Sequence, residues 1–205
     1  GGIEWAVGGD SVSVPAPAGA VVLLDVADRR PSRTLAGWRH GDGGVAKWRV
    51  TIPTPKANTG DAAPSEAADP AVSKDLTGRL GYMQVVPGTG NLFTRAELGG
   101  DYLLHLEFMV PPTPETSGWQ DRGNSGVYVQ GRYEVQVLDS LGLKLRSGDC
   151  GGIYGKHVAD VDACKPAGQW QSYDIEFRSP RRDGEGAKSE NARMSVWHNG
   201  ILIHD

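Results

Sequence analysis

The stretch Val127-Tyr128-Val129-Gln130-Gly131-Arg132-Tyr133-Glu134-Val135-Gln136-Val137 decides the fold. Val127 and Val129 alternate with Tyr128 and Gln130, and beyond Gly131-Arg132 the residues Tyr133, Val135 and Val137 alternate with Glu134 and Gln136. A period of two puts successive side chains on opposite faces of a strand. The Gly-Arg break between two such runs reads as the turn of a β-hairpin.

Working outward, the same alternation recurs. In Tyr102 to Val110 the residues Leu104, Leu106, Phe108 and Val110 point one way, and Leu103, His105, Glu107 and Met109 the other. Tyr173–Phe177 and Ala192–His198 read as further strands, and Asn199-Gly200 is a hairpin turn before Ile201-Leu202-Ile203. Upstream, Val21–Leu24 reads as a short strand, Trp38–Gly44 as a turn and Lys47–Ile52 as a half-buried strand. Helix is confined to a turn or two near residues 75–80 and 94–98.

A chain of 205 residues fits one domain with a sizeable core, and 29 glycines with 13 prolines suit many turns between short strands. The expected class is all-β, a sandwich of two antiparallel sheets. Residues 1–19 read as an N-terminal arm or linker, 20–205 as the sandwich domain, and the Pro/Ala/Ser/Thr/Asp-rich 53–75 as an exposed loop insert.

Composition also excludes partners. The net charge of -4 carries no clustered basic face, and the short basic run at Arg178, Arg181 and Arg182 is broken by Pro180 and Asp183, so nucleic acid is not expected. No stretch is long and apolar enough to span a bilayer. The start has no basic or apolar leader region, so a signal peptide is absent or removed. No Cys/His spacing typical of zinc and no calcium loop are visible, so neither metal nor cofactor is expected. Cys150 and Cys164 flank thirteen residues. They read equally as a disulfide, contributing about 3 kcal/mol on the loop-entropy model, or as two buried thiols.

The face opposite the core is where function is expected. His105, Glu107, Glu134 and Gln136 lie on the non-core side of central strands, with Arg122 and Asn124 at the adjoining turn. Alternate residues are about 6.7 Å apart along a strand and neighbouring strands about 4.8 Å apart, so on adjacent strands these groups are expected to converge within a sugar ring's width. Such a mixture of donors and acceptors suits a polyhydroxylated ring and also acid–base chemistry. The blander possibility is a solvated face with cross-strand pairs such as His105 with Glu134. Trp119, Tyr154 and Trp170 can stack on sugars or pack in loops.

Arg122-Gly123-Asn124-Ser125-Gly126-Val127-Tyr128, followed by Arg132-Tyr133-Glu134-Val135-Gln136-Val137-Leu138-Asp139-Ser140, resembles the 3-keto-disaccharide hydrolase domain family. Gly37-Trp38-Arg39-His40, Leu104–Phe108, Asp149–Gly155, Gly168–Ile175 and His198–Asp205 agree with that resemblance, which runs from about Val21 to the end. It implies a concanavalin A-like jelly roll in a secreted or periplasmic bacterial protein. Members of the family continue past the Asn-Gly turn, so a shortened C-terminus is expected.

The resemblance further implies cleavage of a small carbohydrate or oligosaccharide already oxidised to a ketone at C3. The ketone acidifies the C2 proton, a base removes it, the enolate expels the C1 substituent, and water then adds. On this reading Glu134 is the base and His105 its partner or the acid. Arg122 and Gln136 hold the ketone or neighbouring hydroxyls, and Asn124 positions the loop. Tyr128 and Tyr154 join the substrate contacts, with Glu107 and Asp139 in reserve. Two alternatives stay open: a conventional glycosidase using paired carboxylates such as Glu134 and Asp139, and a non-catalytic carbohydrate-binding module.

Overall fold

A computed structural model describes residues 16, 18–24, 35–51 and 82–205. The expectations for the N-terminal arm, the 53–75 loop and a helical turn at 75–80 fall outside the described residues, apart from the few at 16 and 18–19. Two compact units divide the chain, one within residues 15–97 and one containing residues 98–205.

In the first unit, β1 (Trp38–His40) pairs antiparallel with β4 (Leu92–Thr94), and β2 (Arg49–Thr51) with β3 (Tyr82–Gln84). Trp38 was expected in a turn and instead starts a strand. Val21–Leu24 forms no strand; the Leu23 carbonyl accepts the Trp38 indole N–H at 2.8 Å. Thr94 ends β4, so the helical turn expected at 94–98 does not form. His40 is buried with both ring nitrogens used. The Lys47 amide donates to Nε2 at 3.0 Å, which leaves Nδ1 to donate to the Asn91 carbonyl at 3.0 Å.

The second unit carries the decisive hairpin. β6 (Ser125–Val129) and β7 (Tyr133–Val137) pair in the register Val127 with Val135 and Tyr128 with Glu134. Gln130 and Gly131 turn at φ of 54° and 62°, the left-handed values that a tight hairpin turn requires. The rest is one four-stranded antiparallel sheet in the order β12 (Ile201–His204), β11 (Arg193–His198), β8 (Trp170–Arg178), β5 (Tyr102–Met109). A small pair, β9 (Arg181–Arg182) with β10 (Lys188–Glu190), decorates the connection from β8 to β11. Asn199 and Gly200 make the β11–β12 turn at φ of 52° and 78°, as the Asn-Gly signal predicts.

The all-β expectation holds. Among the described residues the only helical element is the 3-10 turn Trp119–Asp121, and every strand pairing is antiparallel. Val127, Val129, Val135 and Val137 of the hairpin face Leu104, Leu106, Phe108, Tyr173, Ile175, Phe177, Val196 and Ile203 of the larger sheet in one core. Val135, Tyr173, Val196 and Ile203 are fully buried. Each such large side chain contributes roughly 1.5–3 kcal/mol by leaving water.

Tyr173 crosses between the layers: its hydroxyl donates to the Gln136 carbonyl at 2.6 Å and also touches Cys150 Sγ at 3.2 Å. Beside it His198 lies 4.8 Å from the Tyr173 ring, and burial pushes its pKa down to about 4.

Candidate functional site

Two layers mean two outward faces, and this separates the residues that alternation alone would group. β5 neighbours β8, and β7 neighbours β6. Leu104, Leu106 and Phe108 point into the core from one side, and Val135 and Val137 from the other. His105 and Glu107 therefore face away from Glu134 and Gln136 across the core. The expected meeting of His105 with Glu134 on one face does not occur.

On its own face His105 sits between carboxylates. Asp174, directly opposite on β8, lies 2.6 Å from Nδ1, and Glu107 lies 3.7 Å from Nε2. The Asp174 hydrogen bond, then that of Glu107, raise the imidazole pKa to about 9 against the opposing effect of burial. At neutral pH the ring is a cation. It cannot serve as a base there, and it ties β5 to β8.

Because the folded pKa lies above the ordinary value of 6.5, the protonated ring stabilises the fold fully below pH 6.5. That stabilisation is lost as pH rises through about 9. The full effect is on the order of 3 kcal/mol. Urea denaturation from pH 6 to 9.5 should show stability declining through this window, with the decline much reduced in His105→Gln. Parallel profiles for the two proteins would refute the assignment.

The hairpin's outward face is built differently. Glu134 extends across the strand pair, and the Tyr128 hydroxyl donates to its Oε2 at 2.8 Å. The carboxylate holds the phenol in its protonated form, raising the Tyr128 pKa. Gly126 lies diagonal to Glu134, and the space where a β-carbon would stand is filled by the Glu134 side chain. Tyr128 and Tyr154 are exposed, 52% and 45%, and the Tyr154 amide donates to the Glu134 carbonyl at 2.9 Å. An acid beside two exposed aromatic rings thus lies on a rigid strand pair.

Next along the face is an amide network. Gln136 Nε2 lies 3.2–3.3 Å from the Gly148 carbonyl, Gln120 Oε1 and Asn124 Oδ1. Asn124 Nδ2 donates to Gln120 Oε1 at 3.0 Å. Gln136 is fully buried, so it supports the exposed Asn124 from below and offers a sugar no surface of its own.

Arg122 is committed to Asp139: Nε donates to the Asp139 carbonyl at 2.7 Å and Nη2 to Oδ2 at 3.1 Å. Thr113 donates to the same carboxylate oxygen at 2.7 Å. This clamp fixes the strand entry to β6 against the exit from β7. Alternation could not reveal it, since both residues lie outside the strands.

Beside the network opens a cavity of about 300 Å³ lined by Trp119, Arg122, Lys144, Arg146, Asp149 and Glu115, among others. Asp149 organises it, accepting from the Trp119 indole at 2.5 Å and from the Arg146 amide at 2.7 Å. The Arg146 guanidinium lies 4.7 Å from the Trp119 ring centre. The sequence reading missed Gln120, Gly126, Arg146 and Asp149. Only Gly126 carried a signal, as a glycine inside a strand pattern.

Residues 19–205 match the profile of the 3-keto-alpha-glucoside-1,2-lyase-like domain. The chain belongs to the 3-keto-α-glucoside-1,2-lyase-like family. A candidate glycosyl hydrolase from Parabacteroides distasonis ATCC 8503 is similar in structure, with a TM-score of 0.66 and 27% identity over 93% of this chain. The chain spans 66% of that protein's length. A second candidate glycosyl hydrolase from the same organism aligns with a TM-score of 0.38 and 16% identity, over 82% of this chain and 66% of its own. It is too distant to bear on the argument. No curated protein matches the chain significantly.

The family match agrees with the resemblance drawn from Arg122–Tyr128 and Arg132–Ser140, both of which lie within it. Among the described residues of this lyase-like domain, no helix is long and apolar enough to cross a membrane.

Proposed function

We propose that the domain cleaves 3-keto-glycosides on the outward face of the β6–β7 hairpin by elimination across C1 and C2, followed by hydration. The observation that carries this reading is Glu134, a carboxylate held at 2.8 Å by a phenol and flanked by exposed Tyr128 and Tyr154. Glu134 takes the C2 proton. The Tyr128 hydroxyl, already aligned on that carboxylate, is the donor for the departing C1 oxygen. Tyr154 stacks on the sugar ring, Asn124 binds a hydroxyl or the ketone, and Gln136 fixes Asn124. Export to the periplasm or medium, implied by the resemblance, would bring the enzyme to its glycosides.

A paired-carboxylate mechanism is less well supported, because Asp139 is already bound by Arg122 and Thr113. A pure binding module is also less well supported, because its face would rely on exposed aromatic rings more than on a carboxylate positioned by a phenol. Turnover of a 3-keto-α-glucoside in D2O separates the possibilities. Elimination and hydration place one deuterium on C2 of the released 3-keto sugar. Cleavage with C2 unlabelled, or equal rates on the unoxidised glycoside, would rule out the elimination, and binding without turnover would favour the module.

A further inference from the structure

We propose that, in the reduced protein, Cys150, Cys164 and His198 form a buried binding site for a thiophilic divalent cation of the zinc type. Three separate segments deliver the ligands. Cys150 sits in the turn after Asp149, anchored by its amide to Ser140 Oγ at 3.0 Å. Cys164 lies in the loop before β8, with its amide on Asp162 Oδ1 at 3.1 Å. His198 closes β11. One donor atom from each lies within 4.8 Å of the others. Zinc bonds of about 2.3 Å to sulfur and about 2.0 Å to nitrogen put ligand atoms roughly 3.5 Å apart, so the groups need to move inward by about 1 Å or less.

The imidazole is prepared for coordination. Gln171 Oε1 accepts the Lys165 backbone N–H at 2.8 Å, which identifies that atom as an acceptor. His198 Nε2, also 2.8 Å from it, must therefore carry the ring proton. The Nδ1 lone pair is left as the donor, and Nδ1 faces the Cys150 turn, 3.6 Å from where a β-carbon on Gly151 would stand. A carbonyl-type acceptor that fixes the far nitrogen is the usual support of a metal-bound histidine.

Binding converts two thiols to thiolates and releases two protons, with no redox change. The protein would supply two sulfurs and one nitrogen to the metal. The site lies beneath the proposed catalytic face: the Gly151 amide, next to Cys150, donates to the Gln136 carbonyl at 2.9 Å. A bound cation would tie β7, the 149–154 turn and β11 together.

The full chain, fully reduced, stripped with a chelator and kept in a phosphine reductant, is titrated with Co²⁺. The expected result is a thiolate-to-cobalt charge-transfer band with visible d–d bands, saturating near one equivalent and displaced by Zn²⁺. In Cys164→Ser, with its sheet signal intact by circular dichroism, cobalt affinity should fall at least about 100-fold. Zn²⁺ should raise Tm for the parent chain only. Cys164→Ala, read in the same way, covers the case in which the serine variant does not fold. The proposal is overturned if the folded, reduced chain gives no charge-transfer band or if the Cys164 variants titrate like the parent. It is also overturned if the intact mass shows the pair closing to a disulfide under these conditions in the presence of cobalt.

Discussion

Glu134→Gln is expected to lower kcat on a 3-keto-α-glucoside by about 10²- to 10⁴-fold, the range of a positioned general base. The amide has nearly the shape of the carboxylate and keeps an oxygen for the Tyr128 hydroxyl, which donates to Glu134 Oε2 at 2.8 Å. Substrate contacts through Tyr154 and Asn124 are untouched, so KM should change little and the loss should fall on kcat. Stability should hold, because Glu134 lies on the outward face and takes no part in the core. Steady-state kinetics with a thermal melt on the same sample measures both. An unchanged kcat would remove Glu134 from the chemistry.

Gly126→Ala should produce a loss approaching that of Glu134→Gln without touching any group that reacts. A β-carbon at this position would overlap Glu134 Oε1 and come within 2.6 Å of Cγ and 2.8 Å of Cδ. The strand backbone has no left-handed φ at Gly126, so alanine suits it. The clash is with a flexible side chain that can swing away. Relief comes from moving the carboxylate off its place, which breaks the Tyr128 hydrogen bond. A misplacement of about 1 Å at a reacting group can cost about 10²-fold, and kcat should fall by at least that. Stability should shift by less than about 1 kcal/mol, because alanine also restricts the unfolded chain. Wild-type kinetics in this variant would mean that the seat of Glu134 is irrelevant.

How far the sequence could be read depended on range. Local patterns sufficed for the hairpin, for the strands at Tyr173 and Arg193, and for both tight turns, because alternation and Asn-Gly chemistry act between residues close in the chain. The same patterns put Glu134, Tyr128 and Gln136 on the outward face of their strands, with Asn124 just before them. Alternation reports only which side of a strand meets the core. It is silent on which layer the strand joins, and so His105 looked like a companion of Glu134 when β5 had gone to the other sheet. A burial pattern also cannot tell a contact from a support, which is why Gln136 read as a sugar ligand although it lies wholly beneath Asn124. Val21–Leu24 had strand composition, but Leu23 uses its carbonyl on the Trp38 indole, a partner that alternation cannot reveal. His198 ends β11 beside the part of β8 that follows Cys164, while Cys150 comes from the turn after β7, a meeting that no linear spacing encodes.

Tyr173 acts as a strut. Rooted in the four-stranded sheet and hydrogen-bonded to the β7 backbone at Gln136, it sets the gap between the layers by the length of one phenol. Sliding one sheet past the other would break that bond in a dry interior, where an unmade bond costs about 1–3 kcal/mol. The platform carrying Glu134 is thus an anvil of fixed height, and on the proposed function any adjustment to glycosides of different bulk would come from the loops at its rim.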